Sequence, residues 1–213
     1  IKKLKSVGSF YMEKNWFCKK DPERNNFIKY DIVLLGLVDI WWHNTYNNYK
    51  QDYLLQFEWI KEISLKFPNL NIITIYQMGR EINKDELKIL KDSNVKIVMP
   101  KNNYSGYGTG LNSKLNLTFG STIGYEILGH GSNCFFLDNK SRNQQFLNNE
   151  PEIECLKIKS YQQLEHIVCK IFEEKIDIFQ EIIQKNNINL NDFCLMSNNV
   201  SQRIYNSLIN YHI

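Results

Sequence analysis

Apolar and polar residues follow each other along the chain in blocks whose internal spacing changes regularly. Asp31 to Asp39 reads DIVLLGLVD, a continuous apolar run bounded by carboxylates, which is the pattern of a strand buried on both faces. From about Gln51 to Phe67 the apolar positions recur at helical spacing. Tyr53, Phe57 and Ile60 form one stripe, Leu55, Trp59 and Ile63 lie beside it, and Pro68 stops the helix. NLNIITIYQ (Asn69 to Gln77) predicts a second strand, NKDELKILKD (Asn83 to Asp92) a short helix with Asn83 as its N-cap, and VKIVMP (Val95 to Pro100) a third strand. YSGYGTGLNSK, starting at Tyr104, reads as a loop or one weak helical turn.

A strand LNLTFG (Leu115 to Gly120), a helix STIGYEILGHG (Ser121 to Gly131) and a strand NCFFLD ending at Asp138 come next. After a polar excursion through Pro151 the chain offers a last strand, ECLKIK, and a helix, SYQQLEHIVCKIFEEK, ending at Lys175. This alternation predicts an α/β fold, a doubly wound, Rossmann-like parallel sheet with helices on both faces. Three parts result: a lead-in or interdomain segment over 1–30, a Rossmann-like domain over 31–175, and C-terminal helices over 176–213. In the last part Ile176, Phe179 and Ile183 line one amphipathic stripe, and Val200, Ile204, Leu208 and Tyr211 another.

Composition narrows the class. The chain has 213 residues, 43% hydrophobic and 23% charged, enough for one sizeable core. Its formal charge of +3 is spread over scattered Lys and Arg, without the dense basic face that nucleic-acid binding uses. No apolar run reaches the length of a membrane span, so at most peripheral membrane contact is expected. Cys18, Cys134, Cys155, Cys169 and Cys194 are odd in number and form no CxxC pair. They read as reduced cytosolic thiols rather than a disulfide framework or a zinc site. Of four N-x-S/T triplets, Asn116 falls inside a predicted strand. The opening Ile1 implies a piece of something longer.

The chemistry concentrates where LNLTFG meets STIGYE. In doubly wound sheets ligands bind beyond the carboxyl ends of the strands, at the point where strand order reverses. A helix starting at Ser121 presents unpaired backbone N–H groups and a partial positive charge, and Gly120 lets an anion approach the backbone. Ser121 and Thr122 add hydroxyl donors. Glu126 lies too far into the helix to cap it, yet within reach of a ribose attached to a phosphate held there. The alternative is that Ser121 merely caps the helix and Glu126 is solvated. WWHN, with His43, sits just past the first strand on the same crevice. No Ser/His/Asp order, HExxH or paired carboxylates point to hydrolysis.

LNLTFGSTIGYEILGHG resembles the donor-binding signature GSTxGxEAxxxGxP of GT-B glycosyltransferases of bacterial surface polysaccharide (capsule and lipopolysaccharide) synthesis. The resemblance covers roughly residues 31–175 and is specific from Leu117 to Gly131. It implies the C-terminal, donor-binding half of a two-domain enzyme. The Ser-Thr turn at Gly120, Ser121 and Thr122 then meets the donor diphosphate, Glu126 meets the ribose, and Val98, Met99 or Tyr104 contact the nucleobase.

Here Lys114 replaces an Asp of the family, YQMGREI replaces its His-Pro pair, and no Pro follows Gly131. Arg80 is the candidate for the positive charge missing with that pair, against the alternative of a surface side chain. The resemblance implies a cytoplasmic protein, working also at the inner membrane face, that takes a nucleotide-sugar donor and a glycan or lipid-linked glycan acceptor, with the missing N-terminal domain as partner. Neither a cofactor nor a metal is expected, and the residues that would serve as catalytic base are not identified. The rival classes are a CDP-polyol phosphotransferase, a nucleotide-sugar 2-epimerase and a non-catalytic nucleotide-binding module.

Overall fold

The structure, a computed structural model, describes residues 28–37, 46–76, 79–101, 105–119, 121–138 and 151–190. Within these, strands β1 (Tyr30–Leu37), β2 (Ile72–Tyr76), β3 (Lys96–Val98), β4 (Ser113–Thr118), β5 (Cys134–Leu137) and β6 (Lys157–Ile158) form one sheet. Their order is β3-β2-β1-β4-β5-β6 and every neighbouring pair is parallel. This is the doubly wound, Rossmann-like order, and the direction of winding reverses between β1 and β4. Ile32 to Leu35 in β1 are fully buried, as the unbroken apolar run requires of a central strand.

Helix α1 (Tyr46–Lys66) begins earlier than the periodicity implied and ends where Pro68 forbids continuation. It buries Tyr53, Phe57, Trp59, Ile60 and Ile63. Helix α2 (Lys84–Leu90) opens at Asn83, whose Oδ1 accepts from the Asp85 N–H at 2.9 Å. Helix α3 (Ser105–Leu111) precedes β4, and α4 (Thr122–Gly129) follows it. Past β6 come α5 (Tyr161–Phe172) and α6 (Ile178–Lys185).

Neighbouring residues of β5 sort the helices onto two layers. The Phe136 ring meets Tyr125 of α4 at 4.9 Å, whereas Phe135 meets Phe179 of α6 at 5.9 Å. Successive strand residues point to opposite faces, so α4 and α6 lie on opposite sides. Helix α3 packs on α4, α6 on α5, and α5 and α2 on α1. Thus α1, α2, α5 and α6 cover one face, α3 and α4 the other, as right-handed crossovers on either side of β1 demand.

Two expectations need correction. The glycine-rich stretch after Tyr104 is neither a loop nor a single weak turn: residues 105–111 form α3. Glycine lowers helix propensity, but here tertiary contact overrides it. A Cβ on Gly110 would collide with Ile127 Cδ1 and stand 3.0 Å from Asn116 Oδ1, so α3 comes this close to α4 and β4 because the position carries no side chain. Asn116 then ties the corner together, donating to the carbonyls of Gly110 (3.1 Å) and Asn133 (3.0 Å) and accepting from Ser113 Oγ (2.9 Å).

The second correction concerns ECLKIK. Residues 151–156 form a 3-10 helix, and only Lys157 and Ile158 pair with β5. Glu154 thus lies in the 3-10 turn, its carboxylate paired with Lys157 and Lys159. Helix α6 covers its own sheet through Phe179. The segments 1–27, 38–45 and 191–213, including WWHN, His43, Cys18, Cys194 and the stripe from Val200, lie outside the described residues. No helix among the described residues is long and apolar enough to cross a membrane.

Candidate functional site

The reversal of strand order places the carboxyl ends of β1 and β4 side by side, with Leu35 opposite Thr118. Beyond β4 the chain turns into α4 with Ser121 as N-cap in extended conformation (φ −107°, ψ 139°). Ser121 is 7% exposed, and its carbonyl accepts from the Gly124 N–H at 3.2 Å. Its hydroxyl, however, makes no capping hydrogen bond. That separates it from Ser160, which accepts from the Gln163 N–H at the head of α5. The capping role proposed as the plain alternative for Ser121 is therefore not filled by its side chain.

Close packing fixes the turn from both sides of the sheet. On the α4 face a Cβ on Gly124 would fall 2.6 Å from Thr118 Cγ2 and 3.0 Å from Phe136 Cε1. The first turn of α4 thus rests directly on β4 and β5. Thr118 Oγ1 donates to the Leu35 carbonyl at 3.3 Å, joining the two strands at the reversal. On the opposite face Phe119 meets Tyr53 of α1 edge to face, with centroids 5.9 Å apart and planes at 76°.

Glu126 sits five residues after Ser121 on α4, partly buried. Tyr125 beside it faces Phe136. Met99 lies just past β3, 47% exposed, at the same edge of the sheet but two strands away from the reversal. Thr122 opens α4; its side chain, with Gly120 and Tyr104, falls outside the described residues. Lys114 is at the amino end of β4, away from the turn, paired with Asp31 at 3.0 Å.

Arg80 is not a surface side chain. Its guanidinium is 2% exposed and bonded through Nη2 to Oε1 of a fully buried Glu86. Tyr53 donates to Glu86 Oε1 at 2.7 Å and Tyr76 to Oε2 at 2.8 Å, so the carboxylate takes three donors. Arg80 also lies over the Tyr76 and Tyr53 rings at 4.9 and 5.6 Å, and its Nε and Nη1 have no hydrogen-bond partner among the described residues. Burial, reinforced by the Glu86 charge, pushes both phenols well above the ordinary tyrosine range, so they remain protonated donors. Burial opposes the Arg80 charge, but Tyr53 and Glu86 outweigh it and the net shift is upward.

Sequence reasoning missed this cluster. One signal was present: Glu86 stands four residues before the buried Leu90, on the apolar stripe of α2 where a solvated carboxylate does not belong.

At the far side of the turn Asp138, just past β5, is buried. Lys157 approaches its Oδ2 at 3.8 Å and Glu154 Oε2 at 2.7 Å. Hydrogen bonds from Lys157 and Lys159 hold the Glu154 carboxyl below the usual carboxylate range.

No family model matches the chain, and no curated protein matches it in sequence. Among solved structures it is similar to the crystal structure of UDP-GlcNAc 2-epimerase from Neisseria meningitidis bound to UDP-GlcNAc. The TM-score is 0.51 and the identity 15%, over 92% of this chain and 48% of that one. The chain therefore spans about half the length of that enzyme, and its α/β fold is one that a nucleotide-sugar enzyme uses.

Proposed function

We propose that this chain is the donor-binding half of a two-domain glycosyltransferase, holding a nucleoside diphosphate sugar at the β4–α4 turn. The observation that carries the reading is Ser121. It stands at the strand-order reversal, at the head of a helix, with a hydroxyl that the helix does not use. Backbone N–H groups of the first turn of α4 and the Ser121 hydroxyl would receive the phosphates, where the helix dipole favours negative charge. Glu126 would accept from the ribose hydroxyls. Fixed donors around the departing diphosphate would stabilise its charge as the bond to the sugar breaks, which is the chemistry a sugar transfer requires. The acceptor and the general base would come from the partner domain.

The likeness to an epimerase favours one second reading, 2-epimerisation of the nucleotide sugar at the same site. Both begin with the same ligand and diverge in product. Full-length protein incubated with a panel of UDP-, GDP- and CDP-sugars and a glycan acceptor separates them. Released nucleotide with a lengthened acceptor supports transfer, and a 2-epimer supports epimerisation. Binding without any product reduces the chain to a nucleotide-binding module. Residues 1–213 by themselves are expected to bind nucleotide weakly and transfer nothing; transfer by this segment alone would overturn the half-enzyme reading.

A further inference from the structure

Within the buried cluster of Tyr53, Tyr76, Arg80 and Glu86, it is Tyr53 that reaches the candidate site as well. Its hydroxyl is tied to Glu86 at 2.7 Å, and its ring stands edge to face against Phe119, two residues before Ser121. Glu86 is itself held by Tyr76 at 2.8 Å and by Arg80, so its orientation is fixed from β2, from the loop after β2 and from α2. A buried carboxylate with three donors is costly to assemble and hard to move. Such clusters tend to specify geometry more than they add stability.

Thr118 and Phe119 mark where β4 ends, and their side chains leave the sheet on opposite faces. Gly124 presses on the first and Tyr53 on the second. The turn between β4 and α4 is thereby clamped from both layers, and the clamp on the α1 side leads back to the ion pair.

We infer that Tyr53 is a positioning residue for the phosphate-binding turn, acting through Phe119 and oriented by the Arg80–Glu86 pair. This rests on the reading that phosphate is held at Ser121. Arg80, the residue that chemistry first nominates for direct phosphate contact, serves the phosphate through this chain of contacts. A phosphate group demands donors placed within a few tenths of an ångström, and side chains locked by packing and hydrogen bonds supply that precision. The ribose, met by Glu126 more than a turn further along α4, depends less on the placing of the turn itself.

Two variants of the full-length protein test it. Tyr53→Phe keeps the ring and deletes the bond to Glu86. Phe119→Leu keeps apolar bulk, deletes the ring pair and leaves the buried charges untouched, so it carries the test if Tyr53→Phe fails to fold. Dissociation constants for UDP and for uridine are measured by ligand-observed NMR titration, with circular dichroism and melting curves on each variant. The expected result is a fivefold or greater rise in the UDP constant and less than a twofold change for uridine, with the fold retained. Equal changes for both ligands, or none for UDP, overturn the positioning role. They leave the site standing as long as the parent binds UDP and Ser121→Ala weakens it. A parent protein that binds neither ligand overturns the site and the positioning role together.

Discussion

Gly124 stands directly over Thr118, so close that a methyl group in place of its hydrogen would lie 2.6 Å from Thr118 Cγ2. Neither neighbour can yield easily: Thr118 is β-branched and tied to the Leu35 carbonyl, and Phe136 is a fully buried ring. Gly124→Ala is expected to lift the head of α4 off the sheet and to cost about 1–3 kcal/mol of stability, the range for overpacking a core. Nucleotide affinity should fall with it. Urea denaturation and calorimetric titration on the same sample measure the two effects.

Ser121 and Ser160 both begin helices, but only Ser160 caps with its side chain. Ser160→Ala should lower stability by about 1 kcal/mol, and Ser121→Ala by a few tenths at most. If Ser121 contacts phosphate, its variant should instead lose affinity for UDP or GDP. A melting shift of the same size in both variants would return Ser121 to a capping role.

Glu126→Ala should weaken nucleotide binding by about 1.5–3 kcal/mol, as expected for hydrogen bonds to a charged group. Ser121→Ala should cost less, because backbone donors of the turn remain. Calorimetric titration with UDP, GDP, CDP and CMP measures both. Unchanged affinity for every nucleotide in folded Glu126→Ala would mean that this carboxylate serves the helix alone.

Removing Arg80 strands a buried carboxylate. Arg80→Met should cost about 3–5 kcal/mol, whereas Arg80→Met combined with Glu86→Leu should cost less than the sum of the single changes, because no uncompensated charge is left inside. Chemical denaturation of the four proteins in the cycle gives the coupling energy.

The same cluster makes the fold sensitive to alkali. Tyr53 and Tyr76 have folded values raised above the unfolded value of about 10 by burial and by Glu86. Above that pH the unfolded chain releases phenolic protons that the folded chain keeps, so stability, complete below about pH 10, declines as pH rises further. Each tyrosine contributes a slope of up to about 1.4 kcal/mol per pH unit. Tyr53→Phe should show a shallower alkaline decline than the parent, measured as denaturation midpoints between about pH 9 and 11.

Local pattern along the chain was enough for most of the elements and for their layout. The short apolar run IVLL, bounded by polar residues, reads as a strand covered on both faces, Pro68 ends α1, and Asn83 caps α2 with its own side chain. The doubly wound layout followed from that alternation, and with it the position of the turn at Ser121. Whatever depends on the distance between elements was settled only by the packed fold. The glycines of α3 look like a loop along the chain; they form a helix packed on α4 and β4, and at Gly110 the approach to Ile127 and Asn116 is so close that a Cβ would collide. Arg80 looks like a ligand-facing cation or a solvated one. Glu86 is only six residues away, but the two meet in the interior because α2 turns Glu86 inward, where Tyr53 and Tyr76 complete its hydrogen bonds. Local propensity acts over one turn or one strand. The energies that place Gly110, Arg80 and Tyr53 come from steric exclusion and from unscreened charge in a dry interior, and both exist only once the layers have closed.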